Sequence, residues 1–453
     1  MTTDFSIKPK VELMGCVLSP DYPELGSDEI AAYGAFGCFK EDSSLELFLK
    51  DLEKYGPDFE EATRGKIEKV MDESAGRGHG SVLDQSKFIF SIEGVPRITT
   101  LQLCLPQYAD HLQQSLRRAS ADRGFYLPVS IVLLDNADVL EVIEKIENVF
   151  GLYEEMKEGG VPVEDARNVL PLYTRTNIQS GGDARELMHM DHMGRQPYTA
   201  DISRFVSEAI MLEGARVAPS LLKERASNYE PLAWYPSSQL FAFKNSTLDD
   251  VISEFGTDQA VLLENSGINL TEEGIRKAVI ERDEAEMANL KHTHFTFLVP
   301  FSLSAFHQAT RQRTWDQSVE SLYSALERTK MVVPPSVGRT GFAIKYGEAN
   351  LELVNLYHKL VSKGVPPPDA LGVLPHSLMV YDLLHVNGWN AIHSIGKRTC
   401  TEAQWEIRDR ANEMAEAIRV ENPILGEYAV PQGKIYGKCP ERNPCGLCDK
   451  VEE

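Results

Sequence analysis

The densest chemistry in the sequence is the triplet Arg311-Gln312-Arg313, followed after seven residues by Ser321. Guanidinium groups are planar, permanently charged donors, so the triplet suits an anion or a carbonyl edge. Ala305 to Arg328 contains no Pro or Gly and sets Phe306, Ala309, Leu322 and Ala325 at helical spacings, so a helix is expected there. On a regular helix the two arginines would point about 200° apart and serve two ligands or two parts of a long one. A solvated basic turn is the plainer alternative. Ser115 and Ser321 lack a convincing His and Asp arrangement for nucleophilic work, so hydrogen bonding is their expected role. His189, His192, His292, His294 and His307 show no metal-ligand spacing, and no metal is expected of them. Cys439, Cys445 and Cys448 give three thiols where a tetrahedral zinc site needs four ligands. Reduced thiols on a mobile tail are expected, with zinc binding the alternative.

The whole chain limits what this chemistry can serve. Its 453 residues exceed one ordinary core, so two or more domains are expected. The formal charge of −22 has no basic run to offset it, which disfavours binding to a phosphate polymer such as DNA or RNA. A small anion in a local arginine pocket stays open. No apolar run reaches the ~20 residues of a membrane span, and the N-terminal residues do not read as a signal peptide. A cytoplasmic protein is expected. Seven mostly isolated cysteines argue against a disulfide framework.

The elements that must position the arginines come in two sets. Residues 1–10 read as a loose leader, and Val11–Cys16 and Ala35–Cys38 as short strand-like or turn-bounded pieces. Leu45–Lys54, Glu60–Ser74 and Val139–Lys157 are amphipathic helices. The Gly-rich turn from Gly76 to Ser81 leads to the strand Lys87–Ile92, and His294–Leu303 reads as a buried strand. Arg97–Arg118 reads as mostly helical, ended or kinked by Pro106. The stretch Gly160 to Pro171 (GVPVEDARNVLP) returns 204 residues later as Gly364 to Pro375 (GVPPPDALGVLP), identical at eight of twelve positions. His189 and His393 share that spacing, while Gln102 and Gln308, like Ser115 and Ser321, lie 206 apart. Two copies of one domain joined near residues 226–235 account for this. The copies differ: Leu105-Pro106-Gln107 stands opposite Arg311-Gln312-Arg313, and Arg117 opposite Tyr323. Polar groups lost alternately suggest a shared site to which each copy contributes. Drift in a redundant copy is the other account.

Several of these stretches together resemble one family. Gly78-His79-x-Ser81-x-x-Asp84, the strand FIFSIEGV, Arg97, Gln102 and the Gln113-x-Ser115-x-Arg117 run are similar to the flavin-dependent thymidylate synthases. So are Asp183-Ala184-Arg185, the stretch Ala166-Arg167-x-Val169-Leu170-Pro171 and the run from Arg398 to Arg408. The family's Arg-His-Arg, seven residues, Ser hallmark matches Arg311-Gln312-Arg313 and Ser321, with Gln in place of His. The likeness covers most of residues 11–430.

The resemblance implies an α/β (α+β) chain holding two tandem copies of that fold, each a mixed sheet flanked by helices. The first repeat would span 1–230 and the second 231–430, with a Cys-containing tail at 431–453. It implies FAD as cofactor, NADPH and methylenetetrahydrofolate as cosubstrates, and conversion of dUMP to dTMP. A homodimer would rebuild the family's four-copy assembly. By the same likeness Arg311, Arg313, His79, Ser81, Asp84 and Asn387 would bind flavin. Gln102, Gln308, Gln113, Ser115, Arg117, Arg167 and Ser321 would bind the pyrimidine nucleotide. Arg398 would be catalytic, favouring loss of the uracil N3 proton and stabilising the ring anion. Trp389 stands where the family has Arg and is read as packing. Because Gln312 and Tyr323 depart from the family pattern, two other outcomes stay open: a relative acting on another uracil nucleotide, or a catalytically silent flavin- or nucleotide-binding protein.

Overall fold

Alternation of apolar and polar residues builds two sheets of the same plan. The computed structural model describes residues 5–117, 121–226 and 235–448, so most of the expected join near 226–235 lies outside the described residues. One sheet comprises β1 (Lys10–Cys16), β2 (Phe88–Pro96), β3 (Asp110–Gln113) and β4 (Arg175–Gly182), in the order β1-β2-β4-β3. The other comprises β5 (Val261–Gly267), β6 (Thr293–Ser302), β7 (Asp316–Val319) and β8 (Met379–Asn387), in the order β5-β6-β8-β7. Register repeats with order: Ile92 faces Ile178 in the first sheet, and Val299 faces Asp382 in the second.

The α+β class with one copy of the fold in each half is thus present. Every described pairing is antiparallel, so the sheets are not mixed. The β1–β2 and β3–β4 connections return the chain at the sheet end it left, whereas the helix-bearing β2–β3 connection crosses to the opposite end, so β2 and β3 run parallel on either side of β4; β6, β8 and β7 repeat this.

Contacts divide the chain into two compact units that each take a segment from the other repeat. Unit 1 contains residues 1–155, 170–237 and 351–374; unit 2 contains 156–169, 238–350 and 375–453. The duplicated Gly-Val-Pro turn explains the exchange. Its aspartate in unit 1, Asp369, accepts from Ser130 Oγ at 2.7 Å and from the Asp201 amide at 2.9 Å. Its counterpart in unit 2, Asp165, accepts from Ser336 Oγ at 2.5 Å and from Trp405 Nε1 at 2.8 Å. Ser130 and Ser336 occupy equivalent positions, as do Asp201 and Trp405, so both buried carboxylates are satisfied by the same device.

In unit 1 the core packs Phe88, Phe90 and Ile92 of β2 against Leu187 and Met188 of the helix Ala184–Gly194. In unit 2 the inward face of β6 buries Phe295, Phe297, Val299 and Phe301. Burying each such ring contributes about 1.5–3 kcal/mol, which fixes register because a one-residue slip would turn these side chains to the opposite face of the sheet.

Three local expectations are corrected. Ala305–Arg328 is not one helix: a helix at Leu303–Ala309 ends before Arg311, β7 follows, and a second helix at Leu322–Arg328 starts after Ser321. The edge of β8 recruits Asp316–Val319 into a ladder, and that tertiary pairing overrides helix propensity. Arg97–Arg118 repeats the pattern, a helix at Arg97–Leu103 and then β3, with Pro106 between them. Ala35–Cys38 lies at the end of the helix Ser27–Gly37 rather than in a strand.

Candidate functional site

The residues singled out by sequence fall into two groups, one on each unit. In unit 2 the turn between the helix Leu303–Ala309 and β7 carries Arg311, Gln312 and Arg313, with both arginines exposed. They lie on a turn, so the helical argument about their directions lapses. Gln312 is turned inward. In the amide orientation its neighbours dictate, its side-chain oxygen accepts from Arg398 Nη2 at 2.8 Å and Nε at 3.1 Å.

Arg398 follows a π-helical turn, Ala391–Gly396, a distortion that often marks functional sites. Trp315 fastens that turn, donating from Nε1 to Ser394 Oγ at 2.7 Å. Arg398, Gln308, Gln312 and Trp315 line a narrow pocket whose walls also include Phe301, Ile407, Met414 and Arg410. Arg398 also lines a second cavity of about 190 Å³ with Lys397, Cys400, Gln432, Cys439 and Cys448. Cys448 is buried and packs on Gly433, where an added Cβ would come within 2.5 Å of the Cys448 Cβ. Cys448 is therefore anchored against Gly433, while residues 441–447 are exposed. Residues 449–453 lie outside the described residues.

Two guanidiniums, a side-chain amide and apolar walls suit a planar ring with carbonyl edges and developing negative charge. Gln308 keeps its amide at this pocket, donating to its own helix at Ser304 O, 3.2 Å away. Arg167 belongs by sequence to the first repeat but lies in unit 2, 3% exposed, donating to Glu164 O at 3.0 Å. It acts electrostatically on buried Glu406, the neighbour of wall residue Ile407. Glu406 accepts from the Ser302 amide at 2.6 Å and Ser302 Oγ at 2.7 Å, while burial pushes its carboxyl above the usual range. Ser321 caps the helix Leu322–Arg328 and donates to Ala242 O. Asn387 caps the next helical turn, accepting from the Asn390 amide at 3.0 Å.

In unit 1, His79, Ser81 and Asp84 gather on the short helical segment after the Gly-rich turn. Asp84 pairs with Arg185 at 2.6 Å. A Cβ at Gly80 would sit 2.3 Å from the Arg185 guanidinium, so a larger residue there would displace that side chain from Asp84. Gln102 is buried and donates to Met193 O at 3.0 Å and Thr199 Oγ1 at 3.2 Å. Gln113 donates to Thr100 Oγ1 at 2.7 Å, and Ser115 Oγ accepts from the Arg117 amide at 3.2 Å. Trp315 and Arg410 were not singled out by sequence. They reach the pocket from positions 95 residues apart, and no local spacing marks them.

The family model for thymidylate synthase complementing proteins matches this chain twice, over residues 24–220 and 259–424. The chain belongs to that family, with one match in each copy. A flavin-dependent thymidylate synthase of Sulfolobus acidocaldarius is 30% identical over 164 residues, 35% of this chain and 63% of that protein. Another, from Geobacter sulfurreducens, is 34% identical over 169 residues, 36% of this chain and 72% of that protein. A crystal structure of the UMP/dUMP methylase PolB from Streptomyces cacaoi, bound with 5-Br dUMP, aligns with a TM-score of 0.39 at 19% identity. That alignment covers 48% of this chain and 94% of PolB. Among the described residues no helix is long and apolar enough to cross a membrane.

Proposed function

We propose that this chain is a flavin-dependent enzyme that methylates C5 of a uracil nucleotide, dUMP foremost, with methylenetetrahydrofolate as carbon donor and NADPH as reductant. The observation that carries this reading is the family match in both copies, joined in unit 2 to a narrow cationic pocket at Arg398. The two exposed guanidiniums of Arg311 and Arg313 fit the diphosphate and carbonyl edge of FAD, with Asn387 beside them in that role. His79, Ser81 and Asp84 are the counterpart set on unit 1. When bound, FAD supplies the redox chemistry of the carbon transfer.

The chain's own residues do the rest. Arg398 stays cationic at any working pH, so it favours the uracil ring without its N3 proton and raises the nucleophilicity of C5. Gln312 is a positioning residue that holds the Arg398 fork by two of its donors. Phe301, Ile407 and Met414 exclude water, which strengthens the field of Arg398. Gln308 offers an amide to a ring carbonyl, and Arg117 a guanidinium to a nucleotide phosphate. Gln102, Gln113, Ser115, Arg167 and Ser321 complete the proposed nucleotide set. A homodimer is the working assembly, to be read as mass by light scattering.

The test is release of tritium from [5-³H]dUMP in the presence of FAD, NADPH and methylenetetrahydrofolate. Release that needs all three supports the reading. A yellow, flavin-loaded protein that releases none from dUMP or UMP sinks it. That outcome favours a silent nucleotide-binding protein, a second reading prompted by the Gln312 side chain that engages Arg398 in place of the family's histidine.

A further inference from the structure

Unit 1 holds a cluster that the proposed activity does not use. Tyr235 Oη accepts from the Gln107 amide at 2.7 Å and the Tyr108 amide at 3.3 Å, and it donates to Glu186 Oε2 at 2.8 Å. Its ring meets Tyr108 edge-on at 4.8 Å and His189 edge-on at 4.9 Å. Glu186 is 2% exposed, yet Tyr235 itself is only half-buried, so the ring fills a recess that reaches the surface.

The equivalent place in unit 2 is built differently. There Thr314 donates directly to Asn390 Oδ1 at 2.7 Å, and Asn390 Nδ2 donates back to Thr314 O at 3.0 Å. Thr314 and Asn390 correspond to Tyr108 and Glu186. Loop and helix meet directly in both units, through Thr314 in unit 2 and the Tyr108 amide in unit 1, but only unit 1 adds a phenol that links the two.

We infer that unit 1 contains a ring-binding site that the chain fills with its own Tyr235. Two converging N–H donors and one buried carboxyl recognise a ring edge that both accepts and donates. A phenol does this with one oxygen; the imide edge of a uracil does it with a carbonyl and the adjacent N–H. The aromatic edges of Tyr108 and His189 hold such a ring without demanding charge. Burial pushes the Glu186 carboxyl up to about 7 and the Tyr235 phenol well above its usual range, so the resident hydroxyl keeps its proton. Burial likewise depresses His189 to about 4, which leaves the imidazole neutral beside the ring.

The experiment uses the full chain with Tyr235→Gly, titrated calorimetrically with p-cresol, toluene and uracil. Saturable binding of p-cresol or uracil, at least about tenfold tighter than toluene, is expected from the recovered hydrogen bonds. Wild type should bind none of them. Adding Glu186→Met to Tyr235→Gly should erase the preference over toluene. Uracil binding assigns the imide edge, and p-cresol binding alone assigns the phenol. Toluene binding as tightly as p-cresol, or no saturable binding, overturns the inference. If Tyr235→Gly is unfolded at the assay temperature, recovery of the cooperative thermal transition by p-cresol but not toluene becomes the readout, and no recovery overturns it. Binding is measured without turnover, so this result and the tritium-release result stand apart.

Discussion

The turn at Leu105–Gln107 in unit 1 and the turn at Arg311–Arg313 in unit 2 share one backbone and carry opposite chemistry. Each follows a seven-residue helix and leads into a four-residue strand. Each opens with the same bond, Leu105 N–H to Gln102 O at 3.2 Å and Arg311 N–H to Gln308 O at 3.3 Å. Unit 1 buries Leu105 and Pro106 there and commits the Gln102 amide to the core. Unit 2 exposes two arginines and leaves Gln308 at the pocket. The geometry is set by pairing of the following strand with β4 or β8, so the turn residues are released from the fold. One copy can therefore lose its cationic groups without losing its architecture.

The largest expected effect bears on that asymmetry. Arg398→Ala should lower tritium release from [5-³H]dUMP by on the order of 10²–10³-fold or more, with flavin absorbance retained. Full release by the variant would move the catalytic function out of the unit 2 pocket and break the comparison.

A second, smaller effect concerns the sheets. Asp382 is 0% exposed at the register position that Ile178 fills in unit 1, with Gln317 Nε2 donating to its Oδ2 at 2.7 Å. Among the described residues its Oδ1 has no hydrogen-bond partner, and burial pushes the carboxyl up to about 8. The sign follows from linkage. Between about pH 4 and pH 8 the unfolded chain has released this proton while the native chain still holds it, so stability falls as pH rises through that window. Asp382→Ile, which copies unit 1, should raise the urea midpoint and flatten its decline between pH 5 and pH 8. A variant less stable than wild type at pH 8 would show that Asp382 has a partner in solution, such as a bound water.

Much of this organisation was legible in the sequence. The two Gly-Val-Pro turns were visible because Asp165 and Asp369 each meet a serine hydroxyl at an equivalent position and a second donor from the start of an equivalent helix, which constrains residue type at fixed spacing. The strands at Phe88–Pro96 and Thr293–Ser302 and the helices Ser44–Tyr55, Phe59–Ser74 and Asn136–Glu158 were visible through their residue pattern, whereas the helices Asp201–Ala215, Ala343–Ser362 and Trp405–Glu421 were not read. The strands β3 and β7 were not, since four residues are too few for a period to declare itself against strong helix formers on both sides. Nor was the exchange of 156–169 and 351–374 between units, which depends on contacts about 200 residues apart. The arginine triplet was found by residue type alone. Trp315, Arg410 and Tyr235 were missed because their roles come from where the fold brings them.

The smallest effect separates a structural role from a binding role at Asn387. Asn387 and Asp183 are equivalent residues, and each caps the helical turn that follows it. Asp183 accepts from the Glu186 amide at 2.9 Å, as Asn387 does from Asn390. Replacing either with Ala should cost about 1 kcal/mol of stability, the usual worth of an N-cap. If the two serve only as caps, Asn387→Ala and Asp183→Ala will lower the thermal midpoint alike and leave flavin affinity unchanged. If Asn387 also binds flavin, Asn387→Ala alone will weaken flavin retention in a dialysis assay. The paired variants cancel the shared capping loss, so a difference of even a few-fold in flavin affinity belongs to chemistry that only the second copy has kept.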